Sequence, residues 1–348
     1  MPRKVAIVLF NLGGPDRQES VQPFLQNLFR DPAILRVPTP VRWGLARLIS
    51  RLRAPSVKKN YAMMNAPGGG SPLLPETEAQ ADALTRALVA RDGDTVFQCF
   101  IAMRYWHPFT EEAARDVMQW APDEVVLLPL YPQFSSTTTG SSLSAWKKVF
   151  KGKARTVCCY PFDDRLIDAH AERIIDAWRA QGEPKDVRVL MSAHGLPESV
   201  VRDGDPYQWQ VEEMAEKLKA RLPVDWDTQV CYQSRVGPLK WIGPATEDEV
   251  ERAAREGKHV LIAPIAFVSE HIETLVELGI EYRELFEEHG GHGYTTVPAL
   301  GTHPAFVDLL ADLVQTALSE QSDIRSCAGG RLCPNGYSDC PFAQSEAR

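Results

Sequence analysis

The feature that most constrains the fold is a rhythm of eight short apolar runs separated by longer amphipathic stretches. The runs are Val5–Phe10, Val96–Ala102, Glu124–Leu130, Thr156–Tyr160, Val187–Ala193, Gln229–Tyr232, His259–Ala266 and Tyr294–Val297. Each is continuous rather than alternating, as expected of parallel strands buried on both faces. Helical patterns fall between them near Glu76–Ala90, Thr110–Trp120, Arg165–Ala180, Gln208–Arg221, Glu247–Glu256 and Ile272–Glu288. Strand and helix in alternation imply right-handed crossovers and a doubly wound α/β architecture. A break near Lys151-Gly-Lys-Ala154 divides the runs into two sets of four. The expected fold is therefore two Rossmann-like lobes, each a four-stranded parallel sheet flanked by helices. Residues 1–152 would form the N-terminal α/β lobe and 153–305 the C-terminal lobe. A C-terminal helix and a cysteine-bearing tail would occupy 306–348. No sequence repeat relates the two halves.

Charge narrows the function. A net charge of −8 and a pI of about 5.6 argue against nucleic acid, whose phosphates demand a basic surface, and suit divalent metals. Behind the basic Met1-Pro-Arg-Lys4, the apolar run Val5–Phe10 is too short for a signal segment or a membrane span. The expectation is a cytoplasmic protein with reduced thiols, so its seven cysteines call for an explanation other than disulfides.

In open α/β sheets, ligands gather at the carboxyl ends of strands. Here those ends are chemically rich. His194 follows one strand and precedes Gly195, which places an imidazole where the chain turns, suited to acid–base work. The bland alternative is a histidine capping the next helix. After another strand, Glu273, Glu277, Glu281, Glu284 and Glu288 recur at α-helical spacing, which would set them on one face beside His271. Most acidic stripes are solvated faces, but a stripe that begins at a strand end could pass a hard cation along. Ser135–Ser142 and Gly68-Gly-Gly-Ser-Pro72 lack the P-loop and dinucleotide fingerprints, and each alone reads as an ordinary loop.

Together the motifs resemble the ferrochelatases. The matching blocks, in order, are Asn11-Leu-Gly-Gly-Pro15, Gly68-Gly-Gly-Ser-Pro72, Arg104-Tyr-Trp-His-Pro108, Tyr131-Pro-Gln-Phe134 with Thr138–Ser142, Ser192-Ala-His-Gly-Leu-Pro197, Tyr232-Gln-Ser-Arg-Val-Gly-Pro238 with Trp241, and Pro264–Leu275. The resemblance implies a chelatase-like fold with a porphyrin cleft between the lobes and a lip near residues 40–55. It implies a lyase that inserts Fe²⁺ into protoporphyrin IX, releasing two protons and giving protohaem, the last step of haem biosynthesis. His194 and Glu273 would be catalytic, with His194 at the pyrrole nitrogens and Glu273 across the ring. His194, Glu273, His271, Glu277 and Glu281 would meet the substrate iron. Leu12, Trp241 and Phe267 would line the apolar walls, with Arg104, Tyr105 and Tyr131 also at the porphyrin. Some members carry Met where Leu12 stands. Animal members have arginine before the triple glycine, where this chain has Ala66-Pro67. Coproporphyrin therefore stays open as the substrate. A non-catalytic tetrapyrrole carrier would need the walls but not the paired His194 and Glu273.

The tail cysteines, Cys327, Cys333 and Cys340, are spaced as no standard zinc or ferredoxin site, and read alone they leave zinc and iron–sulfur equally open. Some ferrochelatases hold a [2Fe–2S] cluster on three C-terminal cysteines and one from the body. At the position of that body ligand in animal members this chain has Ser136, so Cys158 or Cys159 must substitute. Neighbours on a strand face opposite ways, so only one fits, and the expectation falls on Cys158. A homodimer follows from the resemblance alone. Finally, Val41, Leu45, Leu48, Ile49 and Leu52 form a helical stripe ringed by Trp43, Arg42, Arg47, Arg51 and Arg53. Such a helix either docks on the core or lies on the inner face of the membrane as a peripheral contact.

Overall fold

The computed structural model of the protein describes residues 2–64, 67–235, 237–320 and 322–346. Ala66, at the position of the animal arginine, lies outside them. Among the described residues nine strands are seen: β1 (Lys4–Asn11), β2 (Val96–Met103), β3 (Glu124–Pro129), β4 (Arg155–Cys159), β5 (Val187–His194), β6 (Asp227–Gln233), β7 (His259–Pro264), β8 (Tyr294–Thr296) and β9 (Ile324–Ser326). They form a five-stranded sheet ordered β2-β1-β3-β4-β9 and a four-stranded sheet ordered β6-β5-β7-β8. The pairings of β1 with β2 and β3, and of β5 with β6 and β7, are parallel.

The chain divides into two compact units. The first holds Met1–Tyr131, Ser135–Cys158 and Leu310–Arg325; the second holds Pro132–Phe134, Cys159–Leu309 and Ser326–Arg348. In each sheet the first strand lies inside, with the second on one side and the third and fourth on the other. The switch in strand order therefore falls beside β1 and beside β5, where such folds bind ligands. The continuous apolar runs are explained by burial. Val5 to Phe10 have no exposed surface, and β1 is covered on both sides, with Phe10 edge-on to Trp146 at 5.9 Å. Around β5, Leu190 packs with Val260, Ile262, Leu278 and Phe286.

Three expectations need correction. The first sheet has a fifth strand, β9, drawn from the tail. At three residues it is too short to show a period in the sequence. The acidic segment is not one α-helix: Glu273–Glu281 is π-helical and only Tyr282–Glu288 is α-helical. The wider turn breaks the single acidic face, leaving Glu273 and Glu277 half-buried and Glu281, Glu284 and Glu288 exposed. Third, the basic amphipathic helix runs past Pro55, over Thr39–Met63. It buries its small side, Ala46, Ser50 and Ala54, while Val41, Trp43, Leu48 and Leu52 lie 51%, 56%, 54% and 71% exposed. Of the apolar stripe, Leu45 and Ile49 are half-buried beside that small side, and Val41, Leu48 and Leu52 are exposed.

The glycine blocks serve packing. A Cβ on Gly70 would stand 2.3 Å from the Asp16 carbonyl oxygen, because Ser71 N donates to Pro15 O at 2.7 Å and draws the two loops together.

Candidate active site

The best-developed cluster of titratable groups lies in the second unit, at the carboxyl ends of β5, β6 and β7. His194 closes β5 opposite Gln233, the last residue of β6. The Gly195 backbone N–H donates to Gln233 O at 2.9 Å, and a Cβ at Gly195 would meet that oxygen at the same distance. Only glycine lets the chain turn there and leave the imidazole at the strand's tip. After β7 the chain crosses to Phe267, whose ring lies 4.4 Å from His271 and edge-on to His194 at 6.5 Å. Trp241 is joined to Pro197 by a β-bridge and packs beside Gly195. Glu270 secures this loop by accepting from Ala299 N at 2.7 Å and from the Thr274 hydroxyl.

Three site residues meet at one carboxylate oxygen. His194 Nδ1 is 2.9 Å from Glu273 Oε2, and His271 Nε2 is 3.7 Å from the same atom. His271 Nε2 is buried without a hydrogen-bond partner. This geometry corrects the expectation that Glu273 lies across the ring from His194: groups in hydrogen-bond contact leave no space for a macrocycle between them. They form a pair on one side, with Glu273 orienting the imidazole through Nδ1 and leaving Nε2 for other work.

Behind the pair sits a hydrogen-bonded group with a weak sequence signal. Gln233 is fully buried; its Oε1 accepts from Ser192 Oγ at 2.6 Å, and its Nε2 lies 3.4 Å from both Glu273 Oε2 and Glu277 Oε2. Glu277 also accepts from Ser234 N and from Tyr282 Oη, each at 2.9 Å. Gln233 and Ser234 stand within a recognised block, but nothing in their spacing announces the role.

Electrostatics separate the groups. Burial pushes His194 down, but the charge and hydrogen bond of Glu273, with Glu277 behind, outweigh it and leave His194 above its ordinary value. Burial pushes Glu273 up, yet His194 and His271 outweigh it, so Glu273 is held well below the carboxylate range. Glu277 is raised, by burial and then by the charge of Glu273. One carboxylate is thus fixed as an anion, and the next is readier to carry a proton. Among the described residues no group of three or more His, Cys, Asp or Glu is arranged to hold a metal ion, so the expected set His194, Glu273, His271, Glu277 and Glu281 is not a ready-made cage.

The other expected porphyrin residues lie in the first unit, and two of them are otherwise engaged. Arg104 pairs with Asp31 at 2.7 Å and donates to Ser141 Oγ at 2.7 Å. Tyr105 is 1% exposed and donates its hydroxyl to Asp31 at 2.9 Å. Asp31 is buried and carries no sequence signal; it turns this pair into the centre of a network rather than a free edge contact. Leu12 is half-buried just beyond β1, where its carbonyl accepts from Tyr105 N at 3.0 Å. Tyr131 packs against the core beside β1.

The tail thiols come together in the second unit. Gln210 Nε2 donates to Cys333 Sγ at 3.2 Å and to Cys159 Sγ at 3.6 Å, and Cys327 N donates to Cys159 O at 3.1 Å. A hydrogen bond from Cys333 brings Cys340 down to about 6. Burial, then the charge of Cys159, pushes Cys327 up to about 12. Cys159, the neighbour of the expected Cys158, shares the Gln210 amide with Cys333, and its charge acts on Cys327.

Comparison with known proteins agrees with this chemistry. The ferrochelatase family model matches residues 4–318. A ferrochelatase of Hyphomonas neptunium is 65% identical, covering 99% of this chain and 96% of its own. One of Caulobacter vibrioides is 57% identical over 98% of both chains. One of Pelagibacter ubique is 46% identical over 99% of this chain and 100% of its own. Among solved structures, SirB from Bacillus subtilis superposes with a TM-score of 0.51 at 13% identity, covering 91% of this chain and 96% of its own. CbiX does so with a TM-score of 0.50 at 17% identity, covering 91% and 100%. At such identity these two speak for the chelatase-like α/β fold alone. The chain belongs to the ferrochelatase family.

Proposed function

We propose that this protein is a protoporphyrin ferrochelatase, a lyase that inserts Fe²⁺ into protoporphyrin IX and releases two protons, for haem biosynthesis. The observation that carries the mechanism is the His194–Glu273 hydrogen bond at 2.9 Å. Pyrrole N–H groups are weak acids, so metal entry needs a base within hydrogen-bond reach. With Glu273 anionic at Nδ1, the neutral imidazole carries its proton there and presents the Nε2 lone pair. As Nε2 takes the pyrrole proton, the carboxylate 2.9 Å away stabilises the imidazolium, an interaction that strengthens in the transition state. Glu277, raised and sharing the Gln233 amide donor with Glu273, is the neighbouring carboxylate readier to hold a proton. Fe²⁺ is the substrate; the oxygen of Glu273 and the unpartnered Nε2 of His271 are the groups that would meet it. Phe267 and Trp241 supply apolar wall for a planar ring. Anaerobic insertion assays with protoporphyrin and coproporphyrin test the reading: faster turnover of coproporphyrin would reassign the substrate, and tight binding of both without insertion would make the protein a carrier.

The same reading includes a [2Fe–2S] cluster on Cys159, Cys327, Cys333 and Cys340. The donor types suit such a cluster: Cys159 and Cys333 share the Gln210 amide, and Cys340 hydrogen-bonds Cys333, although among the described residues the thiols are not arranged as a ready-made metal site. A two-iron cluster spreads its thiolates more widely than a single ion does. When bound it supplies a one-electron centre. The protein as purified should contain iron and sulfide in equal amounts; Cys159→Ser should lose them and Cys158→Ser keep them, and the reverse would restore the first choice. Homodimerisation belongs to this reading too, and sedimentation tests it.

Peripheral membrane contact is supported by the helix Thr39–Met63. It carries six Lys or Arg and no Asp or Glu in a chain of net charge −8, and it exposes Trp43, Leu48 and Leu52. No helix among the described residues is long and apolar enough to cross a membrane. Flotation with anionic vesicles tests it: protein left wholly in the aqueous fraction would dismiss it.

A further inference from the structure

We propose that Gln210 positions the cluster thiolates and raises the cluster's reduction potential by donating its two side-chain N–H bonds to the sulfurs of Cys159 and Cys333. The inference rests on the cluster reading above. Gln210 lies on the helix Tyr207–Lys219, among its buried residues Val211 and Met214, and has no exposed surface. A buried amide is expensive unless its donors and acceptor are met. Here the acceptor is met by Phe134 N, which donates to Oε1 at 2.8 Å. That bond fixes which end of the amide is nitrogen, because the flipped amide would set a donor against a donor. The two N–H bonds then have sulfur as their recorded partners, Cys333 Sγ at 3.2 Å and Cys159 Sγ at 3.6 Å. The acceptor bond to Phe134 N accounts for the oxygen of a glutamine or glutamate here, but not for the amide nitrogen. Bridging two sulfurs of a ligand set accounts for that nitrogen.

Hydrogen bonds to ligating sulfur are among the features that set the potential of an iron–sulfur centre. Reduction adds one electron to the cluster and increases the negative charge on its sulfurs. An N–H donor therefore favours the reduced form, and its removal lowers the potential. Gln210→Met keeps length and apolar bulk but has no donor. Gln210→Glu keeps an oxygen for Phe134 N but loses the amide N–H bonds.

The experiment is an anaerobic dithionite titration of the full-length protein, wild type and variants, with the reduced cluster followed by electron paramagnetic resonance. Iron and sulfide are counted in every sample. The expected result is full loading in Gln210→Met with a reduced-to-oxidised ratio about tenfold lower at the wild-type midpoint, a shift of about 59 mV for one electron. Gln210→Glu should move the same way. A loaded Gln210→Met with the wild-type midpoint overturns the proposal. If neither variant loads, wild-type protein labelled with ¹⁵N in glutamine side chains decides: pulsed resonance of the reduced cluster should show coupling to a side-chain amide nitrogen, and its absence overturns the proposal. Wild-type protein without iron and sulfide would instead overthrow the cluster reading, and this inference with it.

Discussion

Replacing Asp31 with alanine separates two roles for Arg104. Asp31 is 4% exposed and accepts from Arg104, Tyr105 and Ser141. Its removal strands a guanidinium whose side chain is 23% exposed. Breaking a buried ion pair on one side costs about 3–5 kcal/mol. Partial access to water around Arg104 places the expected loss at the lower end, about 3 kcal/mol. In a unit of this size each kcal/mol moves the midpoint by about 2–4 °C, so thermal unfolding should shift by about 6–12 °C. Removing the stranded charge as well, in Asp31→Ala with Arg104→Met, should recover much of that loss, a coupling that a double-mutant cycle reads directly. Calorimetry of the four proteins, with porphyrin KM measured alongside, is the assay. Arg104→Met should then change stability more than KM. An Asp31→Ala protein that melts within about 2 °C of wild type, beside an Arg104→Met with a large rise in KM, would refute the network and return Arg104 to the substrate.

Other consequences follow from the same geometry. In Glu273→Gln the carboxylate that raises His194 is gone, so burial prevails and the imidazole pKa falls. Since insertion needs the neutral base, the acid limb of kcat/KM should move to lower pH while the plateau drops; an unmoved limb would show that His194 is not the group titrating. Gly70→Ala forces a methyl to within 2.3 Å of the Asp16 carbonyl oxygen, so it should destabilise the protein by about 1–3 kcal/mol, visible as a lower melting temperature with the pH profile unchanged.

What the sequence disclosed depended on whether a feature carries a period. Val5–Phe10 and His259–Pro264 are long enough for continuous burial to show, and β5 ends on His194 where the apolar run stops. β9 is three residues and shows no pattern. The glutamates at α-helical spacing misled, because Glu273–Glu281 takes the wider π turn and parts Glu273 and Glu277 from the exposed remainder. The clustering of base and acid at strand ends was readable; their direct contact was not, since His194 and Glu273 lie 79 positions apart and are brought together by tertiary structure. Arg104 and Tyr105 read as substrate contacts, and their contacts with Asp31, distant in sequence, carry no sign in the sequence. Cys158 and Cys159 differ only in which way a strand residue faces, and adjacent identical residues give no sign of that.

The central claim is that His194, held by Glu273, is the base for the pyrrole protons. Its most direct test is anaerobic insertion of Fe²⁺ or Zn²⁺ into protoporphyrin, followed by absorbance, for wild type and His194→Ala. The account predicts insertion by the wild type and a loss of about 10²–10⁴-fold in the variant, with porphyrin binding retained. Normal turnover by His194→Ala would contradict it.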